Sequence, residues 1–229
     1  MTFEVCNTGC NCPRVEAFSY IATALVAYLL GSIPTGYLVA KSRGIDIRTV
    51  GSGNIGATNV FRTLGKPAGI FVLAVDALKG FVSCYWVGPL LHRMLVGGLE
   101  DDSAVHEFLK ITGGLFAILG HNYTCWLKFK GGKGIATSAG VVLGLLPGAF
   151  AVSFGVWVLT FFITRYVSVA SIAGAFVLPF AAWFFGRSTR MMVVAAIIGA
   201  LAIYKHRSNI QRLLNGTENR VSKNREAAP

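Results

Sequence analysis

The stretch ATSAGVVLGLLPGAFAVSFGVWVLTFFIT, residues 136–164, decides how this chain is threaded. It runs for 29 residues without a charge. A bilayer core takes about 20 helical residues at ~1.5 Å rise each, so the run is long for one crossing and short for two. Pro147-Gly148 inside it permits one kinked helix or two helices joined by a turn. The basic residues around it choose between these. Segments 41–66 and 128–133, Arg165 and the tail from Lys205 hold 15 of the 21 Lys and Arg residues. Arg14, Arg93, Lys110, Arg187 and Arg190 fall on the other side with the acidic Glu100-Asp101-Asp102, and Lys79 lies within an apolar run. Short basic loops stay in the cytoplasm, whereas acids count for little in this rule. For segment 128–133 and the C-terminal tail to share that side, an even number of crossings must separate them. Residues 136–164 therefore cross twice, turning at Pro147.

Working outward, apolar runs at 17–40, 68–91, 111–129, 166–185 and 191–204 supply the other spans. The expected fold is an all-α polytopic membrane protein with seven transmembrane helices, its N-terminus outside and its C-terminus cytoplasmic. Residues 1–16 form an extracytoplasmic tail, 17–220 a single membrane domain and 221–229 a cytoplasmic tail. The fourth helix, near 136–146, is short for a span and is expected to be tilted or locally buried. Composition agrees: 54% of residues are hydrophobic, 14% are charged and the mean hydropathy is +0.60, whereas soluble domains carry about a quarter charged residues. The net charge of +11 suits anionic headgroups or anionic substrates. Nucleic acid is set aside as a partner, because the cations sit in short loops between apolar runs. The first 16 residues hold acidic and polar groups and do not read as a cleavable signal. Cys6, Cys10 and Cys12 lack a histidine or fourth cysteine at zinc spacing, so no metal is expected. A local disulfide and an unstructured tail both remain open for them.

Three polar segments, all assigned to the cytoplasmic side, carry the chemistry. In Gly51-Ser52-Gly53-Asn54-Ile55-Gly56-Ala57-Thr58-Asn59-Val60-Phe61-Arg62, glycines allow backbone N–H groups to converge on an anion. Ser52 or Asn54 is expected to cap a short helix running to Leu64, with Asn59 and Arg62 on one face. A Gly-rich connection between helices would read the same way, and the Lys-Ser/Thr ending of a nucleotide loop is absent. In Phe129-Lys130-Gly131-Gly132-Lys133-Gly134-Ile135-Ala136-Thr137, two lysines flank glycines just before a helix, after Gly120-His121. That makes a second anion cradle or a basic anchor with glycine hinges. The third, Tyr204 through Glu218, reads as a span emerging into an amphipathic interfacial helix ended by Gly216. There Lys205, Asn209 and Arg212 share a face; a basic helix for anionic lipid is the alternative. Within the spans, Asp76 and Lys79 must pair or face a polar cavity, and Ser168 and Ser171 share a helix face.

These segments, in this order, resemble the membrane-bound acyl-phosphate:glycerol-3-phosphate acyltransferases, the PlsY family. The likeness runs from about Tyr28 to Arg220 through Gly31-Ser32-Ile33-Pro34-Thr35-Gly36, the two glycine-rich segments, Asp76-Ala77-Leu78-Lys79-Gly80, Gly120-His121, Ser168 with Ser171, and His206-Arg207-Ser208-Asn209-Ile210 through Glu218. The Cys-containing N-terminus and residues 98–105 depart from it. The resemblance implies a seven-helix fold with an outside N-terminus in the bacterial cytoplasmic membrane. It implies transfer of a fatty acyl group from acyl phosphate to the 1-hydroxyl of glycerol 3-phosphate, without a cofactor, at the first step of phospholipid synthesis. A functional link to a soluble enzyme that forms acyl phosphate follows. On this reading Ser52, Arg62, Lys130, Lys133, His206 and Asn209 are catalytic. Gly53, Asn54, Gly56, Thr58, Asn59, Lys79, His121, Gly131, Gly132, Gly134, Thr137, Ser168, Ser171, Arg207 and Arg212 contact substrate. No serine–histidine–acid set lies in one loop, and neither His121 nor His206 has an Asp four residues on. The competing class is a transporter or flippase of a phosphorylated solute or lipid; the lack of an internal repeat counts against it.

Overall fold

Proline divides the first apolar run. In the computed structural model, which describes residues 13–96 and 103–221, α1 spans Pro13–Ser32 and α2 spans Thr35–Lys41. Run 17–40 was expected to be one helix. Pro34 supplies no N–H and disfavours helical backbone at Ile33, so the helix stops and restarts. The N-terminal cysteines and Glu100-Asp101-Asp102 lie outside the described residues.

A glycine-rich loop leads to α3 (Ala57–Leu64), followed by α4 (Lys66–Val82), a π-helical turn at Ser83–Val87 and α5 (Gly88–Val96). Next comes α6 (Ser103–Asn122). The apolar run at 111–129 overshoots this helix, and the reason is local. Leu127 is apolar because it plugs a buried cluster with Ile47, Ile55, Val60 and Val72, within a 3-10 turn at Cys125–Leu127. Lys128 and Phe129 then adopt left-handed backbone, φ 53° and 59°, which no helix tolerates. The decisive 136–164 stretch divides at Leu146 into α7 (Ile135–Leu145) and α8 (Pro147–Thr164), with Pro147 opening the second helix, where its missing N–H costs nothing. The chain finishes with α9 (Val167–Phe184), α10 (Thr189–Lys205) and α11 (Arg207–Leu214); α11 is bent 52° from α10 at His206.

Every regular element among the described residues is helical. Four stretches are long and apolar enough to cross a membrane: Glu16–Lys41, Lys66–Leu95, Pro147–Thr164 and Val167–Phe184, with the bent α10–α11 pair as a fifth. The outer surface matches this, since Ile163 and Trp183 are each 70% exposed and Phe184 is 76% exposed. Surface of that kind suits lipid.

Between lipid-facing helices, association depends on close backbone approach. A Cβ on Gly140 of α7 would lie 1.9 Å from the Ala77 carbonyl oxygen of α4, and one on Gly120 of α6 would lie 2.2 Å from the Tyr28 carbonyl oxygen of α1. Gly155 of α8, by contrast, has nothing within 4 Å. Gly140→Ala should therefore lower thermal stability in detergent by about 1–3 kcal/mol through overpacking, while Gly155→Ala is neutral or slightly stabilising. Equal melting temperatures for the two variants would contradict this packing.

Candidate active site

The first polar loop is folded by one buried asparagine. Asn59, 2% exposed, accepts from the Ser52 N–H (2.9 Å) and donates to the carbonyls of Ile47 (3.2 Å), Val50 (3.0 Å) and Asn54 (2.9 Å). The Gly53 N–H bonds to Val50 O and the Gly56 N–H to Asn54 Oδ1. Three amides expected to face an anion are thus spent within the loop. The expected caps are corrected too: α3 opens at Ala57 with Gly56 in the capping position and no side-chain cap, because Asn54 is used one turn earlier. The amides left for a ligand are those of Ala57 and Thr58 at the start of α3, since the Asn59 N–H bonds to Gly56 O. The side chains of Ser52 and Thr58 are exposed beside them. Arg62 projects from the far end of α3, where it donates to Asn219 O at 3.1 Å.

The second loop is seated on the end of α6. The Gly131 and Gly132 N–H groups bond to the carbonyls of Asn122 (3.3 Å) and His121 (3.0 Å). A Cβ on Gly132 would lie 2.2 Å from His121 Nε2, so this glycine serves close approach to the histidine. The open amides again belong to a helix start, that of α7 after Gly134 (φ 76°). Lys130 is exposed and its ammonium joins no hydrogen bond of the site. Lys133 turns inward and donates to Asn209 Oδ1.

From Asn209 a chain of bonds continues. Its Nδ2 donates to Glu218 Oε1 (2.7 Å), which also accepts from Ser168 Oγ (2.9 Å), while Arg212 Nε donates to Glu218 Oε2 (2.8 Å). Burial pushes the Glu218 carboxyl up, but hydrogen bonds from Asn209, Arg212 and Ser168 outweigh it and hold the group below the usual carboxylate range. Lys133 moves the other way, down to about 8, through burial first and then the nearby Arg212 charge, partly offset by Glu218; Arg62 and Lys205 lower it further. Four cations and one carboxylate therefore feel one another around this point, leaving a local excess of positive charge.

The remaining predicted residues are spread over several places. His206 is 3% exposed and its Nδ1 lies 2.8 Å from Ala202 O. A carbonyl only accepts, so Nδ1 carries the hydrogen and Nε2 of the neutral ring is an acceptor. Ser171 is 4% exposed, takes Trp157 Nε1–H at 3.2 Å and donates to Val167 O. Thr137 is fully buried where α4 Gly80 meets α7. Arg207 is exposed and lies 4.6 Å over the Tyr204 ring, away from the Lys133 chain. Lys79 and His121 are buried with Asp76 and Thr35 beneath the loops. Among the described residues no group of three or more His, Cys, Asp or Glu is placed to hold a metal. Glu218 closes the third segment, and residue type alone assigns it no role. Its signal was present: one acid among many cations, two residues past a helix-ending glycine.

Comparison with known proteins identifies the family. Residues 21–216 match the family model described as glycerol-3-phosphate acyltransferase. The glycerol-3-phosphate acyltransferase of Geotalea daltonii is 46% identical over 201 residues, covering 88% of this chain and 97% of that protein. That of Aquifex aeolicus is 47% identical over 199 residues, covering 86% and 96%. The crystal structure of PlsY, an integral membrane glycerol 3-phosphate acyltransferase, in its glycerol 3-phosphate form superposes with a TM-score of 0.77 at 42% identity, covering 89% of this chain and 96% of that one. Its lysophosphatidic acid form gives a TM-score of 0.73 at 41% identity. With matches over nearly its whole length, the chain belongs to the glycerol-3-phosphate acyltransferase family, enzymes of the membrane.

Proposed function

We propose that this enzyme moves a fatty acyl group from acyl phosphate to the 1-hydroxyl of glycerol 3-phosphate, releasing 1-acylglycerol 3-phosphate and inorganic phosphate. The observation that carries the reading is the convergence of Lys133, Asn209, Glu218, Ser168, Arg212 and Arg62 around one buried, positively biased point. Both substrates bring phosphate, and the donor is a mixed anhydride with a good leaving group. Such a reaction needs orientation and charge neutralisation more than a strong nucleophile. The glycerol oxygen attacks the acyl carbon, the bond to the phosphate oxygen breaks, and phosphate departs with its electron pair. Arg62, Lys133 and the amides opening α3 and α7 bind phosphate, with Ser52, Asn54 and Thr58 at the first loop. Ser171, His206 and Asn209 hold glycerol 3-phosphate.

In this reading the chain crosses seven times, α6 and the short α7 adding to the five apolar spans, with the N-terminus outside, these loops on the cytoplasmic face of a bacterial inner membrane and one domain over residues 17–220. A soluble enzyme that makes acyl phosphate supplies the donor there. Purified protein in detergent, given acyl phosphate and labelled glycerol 3-phosphate, should form labelled lysophosphatidate. No product, with uptake of label into vesicles instead, would replace this reading by transport.

Two further outcomes follow from the geometry. The ammonium form of Lys133 binds phosphate, so kcat/KM for glycerol 3-phosphate should fall as pH rises through about 8 in the free enzyme. Lys133→Arg, charged at every accessible pH, should have a lower maximum but no such alkaline limb; retention of the limb would assign it to another group. For proton transfer the candidates are a substrate phosphate oxygen and, from the protein, His206 Nε2; if His206 serves, His206→Ala should reduce kcat at saturating substrate by about a hundredfold or more. Unchanged turnover would hand the proton to a substrate phosphate oxygen.

A further inference from the structure

Beneath the two glycine-rich loops lies a cluster that touches neither set of phosphate-binding groups. Asp76 of α4 is 2% exposed, and its Oδ1 accepts from Thr35 Oγ1 at 3.0 Å and from Lys79 Nζ at 2.8 Å. His121 Nδ1 stands 3.7 Å from the same oxygen, with no hydrogen-bond partner. Lys79 also donates to Ile33 O at 2.8 Å. The pair therefore meets the α1–α2 break with matched charge: the ammonium at the carbonyl end of α1, the carboxylate at the opening residue of α2.

Each arm of the cluster ends under a different loop. Next to Thr35, Gly36 lies so close to the first loop that a Cβ would sit 1.9 Å from Ile55 O and 3.1 Å from Val60 Cγ2. Ile55 precedes the start of α3 by two residues. On the other arm, the His121 ring fills the space against Gly132, whose neighbour is Lys133. Loop one thus rests on α2 and loop two on His121, and both supports close on a single carboxylate oxygen.

We infer that Asp76 is a positioning residue that, through Thr35–Gly36 and through His121–Gly132, sets the two phosphate loops in register with each other. The inference rests on the acyl-transfer reading above, since register matters only if two phosphates bind at once. Lys79 neutralises the carboxylate and fastens the helix break. His121 acts as a strut under the second loop and not as a substrate ligand. A buried charge left without its partner is strongly unfavourable, so the two ionic groups must be changed together to preserve the seat.

Spin labels at the exposed Thr49 and Lys128 report the loop-to-loop distance without reference to catalysis. Asp76→Asn should broaden that distance distribution and cut kcat/KM by about tenfold or more for both substrates, as misplacement at a distance does. Asp76→Asn with Lys79→Gln, which removes the stranded charge while keeping donors for Ile33 and acceptors for Thr35, should narrow the distribution and recover most of the rate. Should Asp76→Asn fail to fold, the second arm decides. Gly132→Ala, which collides with His121, and His121→Ala, which removes the strut, should each broaden the distance and lower kcat/KM for both substrates. An unbroadened distance in Asp76→Asn or in His121→Ala, broadening with unchanged rates, or no recovery in the Asp76–Lys79 double variant would each overturn the inference. A wild-type enzyme that formed no lysophosphatidate would remove the acyl-transfer reading while leaving the distance measurements to judge the register.

Discussion

A lysine ammonium largely withdrawn from water, with a neutral amide oxygen for a partner, is the interaction around which the functional end of this enzyme is built. Lys133 bonds to Asn209, and Asn209 is held in that orientation by Glu218. The carboxylate sits one residue removed, so it fixes the geometry without satisfying the charge of Lys133. Glu218 in turn gathers Ser168 from α9 and Arg212 from α11. The adjoining Asn219 carbonyl takes Arg62 of α3, and the Val221 N–H bonds to Arg165 O between α8 and α9. A short C-terminal segment thereby joins four elements. On the proposed reading a phosphate completes the surplus positive charge among them, because desolvated cations interact with an anion far more strongly than exposed ones do.

The same economy governs the apolar part. In lipid, helices gain little from burying one apolar face against another, so backbone proximity at glycines carries the packing. Helix ends must be satisfied internally. The break at Ile33-Pro34 exposes such ends inside the bundle, and the Asp76–Lys79 pair answers both. Polar groups that look costly within a membrane are here the means of keeping an interrupted helix in place.

Much of this was legible in the chain. Continuous hydropathy located α4, α8, α9 and α10, and the division of residues 136–164 at Pro147 followed from the distribution of basic residues. Pro34 and the 123–129 segment were misread for one shared reason: apolar composition marks burial, and Leu127 is buried in a loop as well as any helix residue would be. At the site, the glycine-rich segments, Lys133, Arg62, Asn209 and Ser168 stood out by residue type. What could not be read was how the backbone amides are spent. Asn59 takes up its own loop, and His121 and Asn122 take the amides of Gly131 and Gly132. Nor could a linear pattern distinguish Lys130, which is exposed, from Lys133, three residues on, which turns inward. Glu218 and Asp76 gain their meaning only when partners from distant segments meet.

Proton uptake on ligand binding tests the unmet charge of Lys133 most directly. Glycerol 3-phosphate binding measured calorimetrically near pH 8, in buffers of differing ionisation enthalpy, should show uptake of about half a proton per site, because the phosphate raises a lysine pKa that starts near 8. The Lys133→Arg enzyme, already fully charged, should take up none. Equal uptake in both proteins, or none in the wild type, would contradict the claim that a partly discharged lysine is recharged by the substrate.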